Sequence, residues 1–234
     1  PQIKERLLTN NSAEVAVGGG SISPDGKFFA YTDAKGMHLQ LIESAETRDL
    51  LLPDALKDKP VDWQLGGWFP DSTRFLVNAI PRGSLPEELS SQGTSIWMFS
   101  LLGNPPRHIR DNAQADGVSP DGSAIAFGAN PGRFGDREIW LMGPDGENAR
   151  RLYDTDEDSS INSVLWSPNG KLIAYTRVDS EGVTFLSRDL QGGPPTAIFP
   201  PSFGNEIFDY IWLPGRLIYS SSNGYCSFFE PVSY

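Results

Sequence analysis

The chain of 234 residues carries 30 Asp and Glu against 19 Lys and Arg, a net charge of −11 with no basic tract, a balance that repels phosphate backbones and anionic bilayers. Nucleic acid and membrane surfaces are therefore not expected as partners, and no run approaches the roughly 18 apolar residues of a membrane span. Gly (24) and Pro (19) are too frequent for a helical protein and too sparse for a disordered one, so many turns are expected.

The chain opens with residues 1–9, whose QIKERLLT resembles the ARRLYD of 149–154 and reads as the last strand of a repeating unit. Pro1 cannot be a translation start, so upstream sequence is expected. The first full unit, near 15–52, offers strands at 15–22, 27–32, 37–42 and 47–52, with the turn Ser23-Pro24-Asp25-Gly26 between the first two. The second unit, near 61–110, repeats the turn as Phe69-Pro70-Asp71-Ser72, and the third, near 115–153, as Ser119-Pro120-Asp121-Gly122. The fourth, near 161–199, has Ser167-Pro168-Asn169-Gly170; the fifth, near 207–234, keeps only Leu213-Pro214-Gly215 and lacks a fourth strand. The turn prolines are spaced by 46, 50, 48 and 46 residues, the period of propeller blades or helical arrays.

The residues around the turn decide between those two. Pro presets φ, Asp or Asn bonds its own backbone, and Gly takes the positive φ that closes a tight hairpin. Ser72 stands where that Gly is expected, so the second unit's hairpin should be less regular. After each turn come Phe29 and Tyr31, Phe75 and Val77, Ile125 and Phe127, Ile173 and Tyr175, Leu217 and Tyr219, on one face of a strand. The other face carries Ala30, Leu76, Ala126, Ala174 and Ile218. An antiparallel strand apolar on both faces implies a small sheet sandwiched between two others, as in a ring of blades. The fold class is thus an all-β propeller of four-stranded antiparallel blades, one domain over 1–234, with about five units. Residues 1–9 supply the last strand of a closing or a preceding blade, and most of the six Trp pack between blades.

SPDGKFFAYTD, SPDGSAIAF, EIWLMGPDGENARRL and SPNGKLIAYTR resemble the WD40-like PD40 repeats of TolB-type β-propellers, and the order of units is similar to the C-terminal propeller of bacterial serine/threonine kinases and winged-helix regulators. The resemblance covers nearly the whole chain up to about 221. It implies a bacterial, periplasmic or extracytoplasmic, non-catalytic module that binds or senses a protein or peptide. The resembling propellers continue for further blades, so a truncated member is expected, with self-association through its open side. The alternative is the gating propeller of a prolyl-oligopeptidase-like serine peptidase, whose catalytic domain would lie outside this chain.

No catalytic or cofactor-binding residue is assigned. Gly19-Gly20-Ser21-Ile22-Ser23 lacks the last Gly of a nucleophile elbow and precedes a hairpin. His38, His108 and the single Cys226 cannot form a zinc site at usual spacing, and both His read as strand residues. Residues 154–159, DTDEDS, alternate carboxylates as a calcium loop does, yet Ser159 replaces its Gly and Leu165 its bidentate Glu, so no metal is assigned. In an up-and-down blade the Pro-containing turns share one rim and the longer loops, 80–93, 129–136, 154–160 and 200–206, share the other. On that second rim Arg82, Arg133, Phe134, Asp154, Asp156 and Asp158 are the expected partner contacts.

Overall fold

The computed structural model describes residues 7–83, 91–198, 207–213, 216–221 and 226–229. Among the described residues the strands form four sheets of four strands and one of three, each in simple up-and-down order. Blade 1 comprises β1 (Gly19–Ile22), β2 (Phe28–Asp33), β3 (Gly36–Leu41) and β4 (Thr47–Asp49). Blade 2 has β5 (Val61–Trp68), β6 (Arg74–Pro81), β7 (Ser95–Ser100) and β8 (Arg107–Asp111). Blade 3 has β9 (Gln114–Val118), β10 (Ile125–Gly132), β11 (Gly135–Met142) and β12 (Arg150–Asp154). Blade 4 has β13 (Ser160–Trp166), β14 (Leu172–Asp179), β15 (Gly182–Asp189) and β16 (Thr196–Ala197), and blade 5 has β17 (Ile207–Leu213), β18 (Arg216–Ser221) and β19 (Cys226–Phe229). The first strands β1, β5, β9, β13 and β17 neighbour one another in that order, and the sheets do not close into a ring among the described residues. Leu7 to Thr9 form no strand and residues 1–6 lie outside the described residues.

The two faces of β6, β10 and β14 divide the packing. Phe75 and Val77 of β6 join Ala30, Met37 and Leu39 of blade 1; Ile125 and Phe127 of β10 join Leu76 and Ile96 of blade 2. Ile173 and Tyr175 of β14 join Ala126, Ile139 and Leu141 of blade 3. The bulky face thus looks back to the preceding blade and the face bearing Ala30, Leu76, Ala126 or Ala174 looks forward. Burying a large apolar side chain in this way contributes roughly 1.5–3 kcal/mol. Polar groups add direction: Trp68 Nε1 donates to Ser21 O (3.2 Å) and Trp166 Nε1 to Gly117 O (3.4 Å), each across an interface. Buried Asn78 imitates a strand, donating from Nδ2 to Ala115 O (2.9 Å) and accepting from Ala115 N (2.8 Å).

Two expectations are corrected. The Ser72 turn is as regular as the others: Ser72 adopts φ 58° against 72°, 73° and 69° at Gly26, Gly122 and Gly170, and its N donates to Phe69 O (3.0 Å) as the glycines do to Ser. A small polar side chain tolerates this region, and Ser72 Oγ accepts from Asp25 N in the adjoining blade (3.1 Å). Residues 129–136 are not a long loop but the end of a hairpin paired as far as Gly132 and Gly135, with only Arg133 and Phe134 between. Pro131 fits there because β9 pairs with β10 no further than Gly128, so its missing N–H faces no neighbouring strand.

Gly135 is buried with φ 136°, and Gly36 and Gly182 take 140° and 132° at the equivalent second hairpins. Gly135→Val should therefore lower the melting temperature at least as much as Gly122→Val, each through about 1–3 kcal/mol of backbone strain. Gly19→Val, whose Cβ would meet nothing within 4 Å, should leave it nearly unchanged; thermal denaturation of the three variants checks this.

Candidate functional site

The Pro-turn rim is occupied with itself. Asp25 Oδ1 accepts from Ser23 Oγ (2.6 Å) and Lys27 N (3.1 Å), Asp121 Oδ1 from Ser119 Oγ (2.6 Å) and Ser123 N (3.0 Å), and Asn169 Oδ1 from Ser167 Oγ (2.8 Å) and Lys171 N (3.0 Å). The bond from Ser119, then those from Ser123, pull the Asp121 carboxyl down to about 2. A Cβ at Gly122 would lie 3.3 Å from Pro70 Cδ, so adjacent turns abut. Pro24, Asp25, Gly26, Pro70, Asp71, Pro120, Asp121, Gly122, Pro168, Asn169 and Gly170 act here as turn formers.

On the opposite rim the expected contact residues fall on different blades. Arg82 of blade 2 is held by Asp62 Oδ1 through Nε (3.1 Å) and Nη2 (2.9 Å). In blade 3, Arg133 lies over the Phe134 ring at 5.2 Å and caps the β10–β11 hairpin. Asp154 ends β12, where Arg151 Nη1 reaches both Asp154 Oδ2 (3.3 Å) and Glu138 Oε1 (3.0 Å). Asp156 and Asp158 are exposed, and Glu157 pairs with Arg137 at 3.7 Å. Residues 84–90 and 200–206 of the expected loops lie outside the described residues.

A feature that sequence reasoning missed lies between blades 3 and 4. β9 carries a bulge at Asp116, since Gly117 pairs with Ala126 and Ala115 with Phe127; β5 has the same bulge at Gly66. The bulge directs Asp116 into a cleft of about 360 Å³ lined also by Gly128, Asp136, Glu138, Asn162 and Thr176. Backbone N–H groups of Val164 and Gly128 support the Asp116 carboxyl, but burial, then the charge of Asp136, push it up to about 8. Asp136, only 6% exposed, accepts from both N and Oγ of Ser91 (2.8 Å each), yet burial still raises it. Glu138 behaves oppositely: against its burial, bonds from Trp140, Arg151 and Asn130 hold it below the ordinary range. Alignment of the repeats carries the signal for this site, because the position four before the turn proline is Gly20, Gly66 and Val164 in the other blades that align with it fully.

A cavity of about 490 Å³ on blade 1 is lined by Tyr31, Asp33, His38 and Asp49. Its polar groups are matched to one another: His38 Nδ1 meets Asp49 Oδ1 and Nε2 meets Asp33 Oδ1 at 2.8 Å each, while Asn11 donates to Asp33 Oδ2 (2.9 Å). His38 lies in β3 and His108 in β8, as expected, and among the described residues no three His, Cys, Asp or Glu converge as a metal site.

This architecture is a partial β-propeller. No family model and no curated protein matches the sequence. The chain is similar in structure to a TolB-type protein of Agrobacterium tumefaciens, with a TM-score of 0.67 and 16% identity over 92% of this chain and 73% of that one. An oligogalacturonate lyase in complex with manganese gives 0.66 and 16% over 94% of this chain and 66% of the other. The Cps50 (Swd1) propeller domain of Myceliophteria thermophila gives 0.65 and 13% over 96% and 68%. TolB from Acinetobacter baumannii also matches, and the chain spans 54% of its length.

The Asp116 carboxyl binds its proton more tightly in the folded chain than in the unfolded one. The folded state therefore holds an extra proton between the ordinary carboxylate range and about pH 8, and stability falls as pH rises through that window. One proton corresponds to a slope of at most about 1.4 kcal/mol per pH unit. Asp116→Asn should flatten the dependence and gain on the parent chain at pH 8–9; denaturant titrations from pH 5 to 9 measure it, and an unchanged slope would count against this assignment.

Proposed function

We propose that the chain is a non-catalytic interaction module that docks a protein or peptide on the rim bearing the β10–β11 hairpin and the 154–160 loop. The contrast between the two rims carries this reading. The Pro-turn rim presents short turns whose carboxyl and amide oxygens are already engaged by their own backbone. The other rim offers an exposed Arg133 over Phe134 and exposed Asp156 and Asp158, and the cleft between blades 3 and 4 includes Asp136, next to the hairpin's Gly135. Aromatic and Arg side chains on a rigid scaffold are enriched among binding hot spots, and the blades supply the rigidity. Arg82 contributes less than its exposure implies, because binding through it would first break its pair with Asp62.

A partner isolated by affinity capture and then measured in purified form provides the test. Arg133→Ala and Phe134→Ala should each weaken binding by about 1–2 kcal/mol at unchanged melting temperature. Asp25→Asn and Asp121→Asn, on the other rim, should not; equal losses from those two would place the partner on the wrong face for this proposal.

A further inference from the structure

The interface between blades 3 and 4 departs from the repeat twice, and both departures open the same cleft. Asp116 occupies the inner-strand position held by Gly20, Gly66 and Val164 elsewhere. On the second strand, the position of Thr32, Asn78 and Thr176 is Gly128 in blade 3. Asn78 closes the corresponding gap between blades 2 and 3 by bonding Ala115, whereas a Cβ on Gly128 would stand 2.6 Å from Asp136 Oδ2. Missing side-chain bulk thus admits a carboxylate.

The cleft has two chemistries. The lining combines the apolar Ile139, Ile161, Val183 and Phe185 with the carboxylates Asp116 and Asp136, and among the described residues no Lys or Arg lines it. Glu138 at its border has the Arg151 guanidinium, but Asp136 is bonded by the neutral Ser91. Two carboxylates in a recess without a counter-ion are costly unless a proton or a cation joins them. We infer that the cleft takes a lysine or arginine side chain of a peptide partner, with its aliphatic stem against the apolar lining residues and its charged head at Asp116 and Asp136. Long cationic side chains carry both chemistries in that order. The exposed Asp156 and Asp158 nearby in sequence, and the net charge of −11, favour a basic partner as it approaches. This inference rests on the rim reading above and adds which residue of the partner is recognised.

At neutral pH the free cleft holds a proton on Asp116, which an entering cation displaces. Calorimetric titration of the full chain with the peptide Ac-Ala-Leu-Lys-Leu-Ala-amide, in two buffers of different ionisation enthalpy, reads both affinity and proton release. The expected result at pH 7 is binding at least about ten-fold tighter than that of the norleucine counterpart, with release approaching one proton. Asp116→Asn, checked for a retained melting temperature, should lose the preference and the proton release together. Equal affinity for the two peptides, binding without proton release, no binding of either, or equal binding of n-butylammonium alone would each overturn the inference. If Asp116→Asn leaves an isolated partner's affinity intact while Arg133→Ala and Phe134→Ala weaken it, the cleft assignment fails and the rim reading stands.

Discussion

The packing of the described blades depends on three second strands, β6, β10 and β14, that are buried on both faces. Phe75, Ile125, Phe127, Ile173 and Tyr175 are at most 1% exposed, and each packs backward into the interface with the preceding blade. A strand in that position cannot turn a side chain to solvent without opening a cavity, and truncating such an aromatic costs about 3–5 kcal/mol. The repeat is therefore conserved within the chain by packing alone. What can vary is confined to the strand ends, the inner strands and the hairpins of one rim.

The turns and the two-faced strands were legible in the sequence because local chemistry and packing agree there. Pro fixes φ, Asp or Asn supplies the local acceptor, and the period of 2 marks both faces at once. Ser72 broke the consensus without breaking the turn, since its hydroxyl gains a bond to Asp25 N that Gly could not offer. The hairpin 129–136 looks like a loop in the sequence because Gly128, Pro131, Gly132 and Gly135 are all strand breakers out of context. Only the knowledge that β9 ends its pairing at Gly128 shows that Pro131 violates no hydrogen bond.

The site was harder to read for a different reason. Asp116 lies in a short stretch, QADGV, with no alternation of polar and apolar residues, because a bulge shifts the register in its middle. Periodicity cannot locate a residue where the period is interrupted. Gly128 is equally silent, since a glycine in a strand has no side chain to signal a cavity. Both stand out only when the units are aligned with one another, where a charge replaces small or apolar residues and a glycine replaces polar ones. Arg133 and Phe134 could be named as rim residues from topology, but not the ion pair that occupies Arg82.

Departures from an internal repeat are informative when they come together in space, and here they share one cleft. A lone glycine at 128 would weaken the blade 3–4 interface, and a lone aspartate at 116 would bury a charge. Together they are compatible, because the absent Cβ makes room for Asp136 and the backbone N–H groups of Gly128 and Val164 support Asp116. The result is a recess that holds two carboxylates and, among the described residues, is lined by no Lys or Arg. Such a recess needs no conformational change to select a cation, since the carboxylates are already placed and only a proton has to leave. Linkage then runs both ways: whatever cation the cleft accepts must bind more tightly as pH rises toward the range where Asp116 ionises, and its binding must lower the proton affinity of Asp116 by the same factor.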